Sequence, residues 1–281
     1  MHEVGGIPDR SLLSKDTTIQ SIIIKMLGNY DSHDIDTSTP NTRYKSKNLG
    51  TWSSIKDVDS FLSKCNHNSG YYGATIGSYV TIKDGTYNKQ WVIAGFDMEY
   101  NYKILDVNGN NNNINDNGYG ICLIPKTSLG TPRWNNNPSN NTNGYYGSDI
   151  NKTTLPTVAT NLKKVLGNHL IERKVLLSSS TNGDYYANAY VWTTAYCTLM
   201  SMGQITGKFA SNSNKYDDGE ANYKLPLFNY ETWSFDNTAW LRGICGKNIY
   251  CLTTSGNSTQ IASDTWTAGT IPGLRPLIYI R

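Results

Sequence analysis

The chain has 281 residues, enough to bury a sizeable core as one large or two modest domains. Charged residues make up only 17%, the net charge is +3 and no Lys/Arg cluster occurs, which excludes a nucleic-acid footprint. No stretch approaches ~18 apolar residues, so no membrane insertion is expected.

The start, Met1-His2-Glu3-Val4-Gly5-Gly6, lacks the basic and apolar segments of a secretory signal. Ile19, Ile22, Ile23, Met26 and Leu27 then fall on one face of a helix, with Asp16 or Thr17 as N-cap and Gly28 as the stop. Three turns are marginal alone. Burying the five side chains gives a gross gain of roughly 8–15 kcal/mol, so the helix needs a partner: its own domain, copies of itself, or a particle. Residues 1–30 therefore read as an anchor or oligomerisation segment. Residues 31–50 hold Ser, Thr, Asp, Asn, Pro and basic residues without apolar periodicity and read as a linker.

A compact α+β pattern follows over 51–281. Ser53 or Ser54 caps a helix reaching about Cys65, with Ile55, Val58, Phe61 and Leu62 on one side. Residues 79–82 and 90–96 read as strands joined by an Asp84-Gly85 turn. Residues 104–107 and 120–124 read as a second strand pair, with Asn108 to Asn117 as its exposed loop; the ligand spacing of an EF-hand is absent there. An Asn- and Gly-rich loop at 131–146 carries Trp134, Tyr145 and Tyr146.

Leu155, Val158, Leu162, Val165 and Leu166 mark a second helix ended by Gly167. Pro156 fits it only in the first turn, or as the kink of a longer helix starting near Ser148. Val175-Leu176-Leu177 is a short strand, and Thr194 through Met202 reads as a third, short helix. Finally, strand-like runs from Trp240 to Gly243 and from Gly273 to Ile280 enclose a stretch of Asn, Ser, Thr, Tyr, Trp, Asp and Gly. Aromatics with little rotamer entropy beside adaptable polar groups are how contact loops are built, so this end reads as a binding surface on a rigid scaffold.

Five cysteines, Cys65, Cys122, Cys197, Cys245 and Cys251, are odd in number and have no CxxC pair. They read as buried small hydrophobes of a protein made in a reducing cytosol. A chain made there without an export signal, with a recognition-like surface, suits a virion component released by lysis. His2, His33, His67 and His169 are scattered, so no hydrolase triad is read, and no metal or cofactor is expected. Asp217, Asp218 and Glu220 read as a solvated loop, with a calcium site as the alternative.

The run Gly144-Tyr145-Tyr146-Gly147-Ser148-Asp149-Ile150, with the helix ending Asn161-Leu162-Lys163-Lys164-Val165-Leu166-Gly167, resembles the DUF6273 domains of gut Firmicutes and their phages. So do the stretch Thr194 to Ser201, Lys224-Leu225-Pro226-Leu227-Phe228, Trp240-Leu241-Arg242 and Gly273-Leu274-Arg275-Pro276. The ordered series covers roughly residues 75–281. The resemblance implies a C-type-lectin-like fold akin to formylglycine-generating enzymes and to diversified phage receptor-binding proteins. Separately, Val4-Gly5-Gly6-Ile7, Thr18 to Ile22 and Met26 to Tyr30 resemble an amino-terminal module of phage fibre and baseplate proteins.

Together these likenesses imply a bacteriophage virion structural protein, a head or tail fibre or adhesin. It would be anchored by residues 1–30 to other virion proteins, and trimeric with itself as fibres commonly are. Its C-terminal domain would bind a host-surface glycan or protein. The implied ligand face carries Asn237, Asn248, Tyr250, Asn257, Gln260 and Trp266, flanked by Tyr230, Trp233 and Phe235. Trp233, Phe235 and Trp266 have core packing as their alternative, and Trp240, Arg242 and Arg275 are expected to be structural, the arginines satisfying loop carbonyls. Two other readings stand beside this one. The first is a non-adhesive capsid or baseplate decoration protein. The second is a copper oxidase of the formylglycine-generating type using Cys245 and Cys251, whose spacing is one residue longer than that pattern.

Overall fold

The computed structural model describes residues 40–65, 71, 74–98, 103–105, 111–113, 119–135, 144–179, 190–207, 224–230, 238–245, 248–252, 258–262 and 272–281. The anchor segment, with Ile19, Ile22, Ile23, Met26 and Leu27, lies outside them. In chain order the elements are β1 (Asn48–Trp52), α1 (Ile55–Leu62), β2 (Tyr79–Ile82), β3 (Lys89–Phe96), β4 (Lys103–Leu105), β5 (Asn111–Asn113) and β6 (Ile121–Pro125). After them come α2 (Leu155–Leu166), β7 (Arg173–Ser178), β8 (Tyr190–Ala195), β9 (Thr198–Leu199), α3 (Met202–Thr206), β10 (Ala239–Cys245), β11 (Asn248–Leu252), β12 (Ser258–Ala262) and β13 (Pro276–Ile280). The class is α+β, with mainly antiparallel pairing.

The largest sheet has the order β1-β2-β3-β6-β13-β9. Only β1 and β2 run parallel; the other neighbours are antiparallel. β6 and β13 are unbroken apolar runs, and all five residues of each are buried, as strands covered on both faces require. The β2–β3 hairpin forms where expected. Its turn is held by Asp84, whose Oδ1 accepts from the backbone N–H groups of Thr86, Tyr87 and Asn88 at 2.9, 2.7 and 3.3 Å.

Both long helices match their signals. At the start of α1 the Asp57 carboxylate accepts from the backbone N–H groups of Ser53 and Ser54 at 2.8 and 3.0 Å. The Ser53 bonds are the larger part of what holds its carboxyl below the ordinary range. In α2 the five expected apolar residues are buried, and both readings of Pro156 hold together. It sits in the first turn of α2, and a π-type turn at Ile150–Thr154 extends the helical path backwards. Gly167 closes α2 with φ +55, and a Cβ there would lie 2.8 Å from Cδ1 of Ile55. Glycine thus ends one helix and lets the other approach.

Three expectations fail. Residues 40–50, read as the end of a linker, are built into the fold. The Asn41 amide grips the Phe96 backbone through two 2.7 Å bonds, accepting its N–H and donating to its C=O. Tyr44 is buried and bridges to Ile76, and β1 joins the sheet edge. The second strand pair does not form as read: β4 pairs with β5, while β6 lies between β3 and β13. An apolar strand gains more from two buried neighbours than from an Asn-rich hairpin partner. Nor is 194–202 a helix. The β-branched and aromatic run before it extends β8 to Ala195, and β9 follows. Helix begins only at Met202, behind a capping box in which Ser201 and Gln204 exchange two 2.9 Å side-chain-to-backbone bonds.

Cys65, Cys122, Cys197 and Cys251 are buried and form no disulfide among the described residues. Burial pushes the Cys65 thiol up to about 11 and the Cys197 thiol up to about 12. An unfolded thiol ionises near ~8.5. The raised folded values therefore give stability that is complete below that pH and is lost as pH rises through about 11 and about 12. Peptide mapping after iodoacetamide treatment at mildly alkaline pH should find these four cysteines protected in the native protein and alkylated in urea. Rapid native labelling of Cys197 would contradict the burial. No helix among the described residues is long and apolar enough to cross a membrane.

Candidate recognition surface

The three-stranded sheet β10-β11-β12 is built from the segment that the sequence marks as a contact region. Its base is β10, where Ala239, Trp240, Leu241 and Arg242 are all buried. The Trp240 ring packs on Trp134 with centroids 5.6 Å apart, and its indole N–H donates to the Pro132 carbonyl at 2.9 Å. The Trp240 N–H donates to the Gly273 carbonyl at 3.1 Å, and the Arg242 N–H to the Met200 carbonyl at 3.1 Å. These contacts tie the small sheet to three separate parts of the core.

Gly273 forms an isolated bridge with Ala239 at the start of β10. A Cβ at that position would sit 2.6 Å from the Ser128 hydroxyl oxygen and 2.8 Å from the Ser128 Cβ, so only glycine fits without displacing that loop. Two residues on, Arg275 is buried, and its Nη1 donates to the carbonyls of Pro125 and Lys126 at 3.1 and 2.6 Å. Arg275 thus satisfies loop carbonyls as expected, and Trp240 and Arg242 are buried.

Register then sorts the rest of the segment. Ile249 and Cys251 are buried, so one face of β11 rests on the core. Alternation places Asn248 and Tyr250 at positions on the opposite face. Tyr250 pairs directly with Gln260, and Asn248 with Ala262. Three expected ligand residues, Asn248, Tyr250 and Gln260, thus share one face of one ladder. Trp233, Phe235, Asn237, Asn257 and Trp266 lie outside the described residues. Tyr230 is elsewhere: it ends a helical turn at Leu227–Tyr230, and its ring stacks on Tyr44 at 5.4 Å.

The same register bears on the copper reading. Cys245 pairs with Asn248 across the β10–β11 ladder, and Cys251 lies three positions further along β11. An odd step along β11 separates the Asn248 and Cys251 positions. Sequence reasoning passed over two signals here. Gly246-Lys247 is a two-residue connection with glycine first, and Asn248 to Cys251 alternates polar and apolar, which together spell a hairpin. No protein-family model, curated protein or solved structure matches this chain.

Proposed function

We propose that this protein is a bacteriophage virion fibre or adhesin whose C-terminal domain, C-type-lectin-like in character, binds a host-surface glycan or protein. The carrying observation is the β11–β12 ladder: Ile249 and Cys251 rest on the core while Asn248, Tyr250 and Gln260 share the other face. Amide and phenol groups on a strand pair fixed by a buried Trp and two buried Arg are suited to gripping a partner with little ordering cost. Few charges and many Asn, Ser and Thr residues support a role on a particle surface. In this reading residues 1–30 hold the protein to the virion as a homotrimer.

Labelled protein should bind cells within a panel of Firmicutes isolates. The double variant Tyr250→Ala, Gln260→Ala should lower that binding by at least about tenfold, as the loss of an interface hot spot does. Its urea midpoint should stay at the parent's value. Undiminished attachment by the double variant would remove the ladder face from the proposal. Absence of binding to every isolate would favour the decoration protein.

A further inference from the structure

On the side of the molecule formed by α2 and the β7–β8 hairpin lies a second feature with the makings of a site. A cleft of about 350 Å³ separates the π-type turn at Ile150–Thr154 and the start of α2 from β8. That volume is at the small end for ligand pockets, ~300–1,000 Å³. Its lining includes the apolar Leu155, Pro156, Ala159 and Leu177. Tyr146 and Tyr196 also border it, each half-buried and each carrying a lysine ammonium on its ring: Lys152 Nζ at 4.1 Å and Lys163 Nζ at 3.4 Å from the ring centres. At Tyr196 and Glu172 the cleft meets a neighbouring hollow of about 490 Å³ that reaches Lys163 and Arg281.

Two further facts make this more than a gap in packing. The wide turn of Ile150–Thr154 brings Asn151 and Lys152 to the cleft, and such turns recur at functional sites. Neither Lys152 nor Lys163 has an acidic partner among the described residues. Both ammoniums are held on aromatic faces. Opposite them are hydroxyl-binding groups: Thr193, Thr194 and the Glu172 carboxylate, which accepts from the Thr194 hydroxyl at 3.0 Å.

We propose that this cleft binds one acidic sugar unit, a hexuronate. Its C–H face matches the Pro156 and Ala159 surface, its hydroxyls match Thr193 and Glu172, and its carboxylate matches the Lys152 ammonium. A neutral hexose would leave that cation unused. A phosphate ester would bring two negative charges against Glu172 and find no arginine fork in the first cleft. The assignment stands whatever the β10–β12 sheet binds.

Saturation-transfer NMR and calorimetry with sodium glucuronate on the full chain test it. Binding with a dissociation constant on the order of 1 mM is expected for a ligand of this size, and glucose should bind at least about tenfold more weakly. Lys152→Gln should weaken glucuronate binding about tenfold, with unchanged melting temperature, while Lys56→Gln on α1 changes nothing. Equal affinity for glucose, no saturable signal, or parental affinity in the Lys152 variant would overturn the assignment. None of these results depends on cell attachment, so this site and the ladder face fail or stand separately.

Discussion

Trp240→Ala is expected to lower the unfolding free energy by about 4 kcal/mol, the middle of the range for deleting a buried aromatic. The side chain is 1% exposed and sits beside Trp134, which itself packs on Tyr145 at 5.5 Å. Truncation opens a cavity beside Trp134 and leaves the Pro132 carbonyl without its indole donor. Against a typical total of ~5–15 kcal/mol, that is enough to unfold a substantial fraction at physiological temperature. Trp240→Phe keeps most of the apolar area and should lose only ~1–2 kcal/mol, chiefly the hydrogen bond. Urea unfolding of both variants separates the two contributions. A loss under ~1 kcal/mol for the alanine variant would mean that β10 is held by its neighbours and not by this ring.

The parts of the fold that were legible in the chain are those whose signals are local. The β2–β3 hairpin announces itself because Asp84-Gly85 lies between β-rich runs, and α2 because five apolar residues repeat at helical spacing before Gly167. Where the outcome depended on a distant partner, the residues carried no mark of it. Asn41 serves as a clip only because Phe96, 55 positions away, offers a strand end to clip. β6 finds β3 and β13 instead of the Asn-rich hairpin because burial on both sides outweighs proximity in sequence.

The stretch 194–202 misled for a different reason. Its apolar residues are compatible with a helix, yet the capping box that sets the true start is Ser201, near its end, with Gln204 just beyond it. For the candidate surface, the segment and its fastening residues were legible. The sorting of faces was not, because which of Asn248 or Ile249 turns inward is fixed by the register with β10. A one-residue slip would exchange the two sets.

Arg275→Met supplies the sharpest test of how the start of β13 is fastened to the end of β6. Exchanging a buried cation for an apolar side chain of similar length is often neutral, since the cost of desolvating the charge disappears with it. Here two effects oppose that outcome. The guanidinium spans two consecutive carbonyls, those of Pro125 at the end of β6 and of Lys126 just past it, and bonds from a charged donor contribute ~1.5–3 kcal/mol each. Methionine offers neither carbonyl a donor, and the Pro125 position is fully buried. The expected net loss is about 3 kcal/mol. Arg275→Lys should recover part of it, because an ammonium reaches one carbonyl but cannot bridge both. The order of urea midpoints, parent above lysine above methionine with equal slopes, is the result that identifies Arg275 as the clasp. A methionine variant as stable as the parent would show that packing alone joins β13 to the Pro125–Lys126 turn.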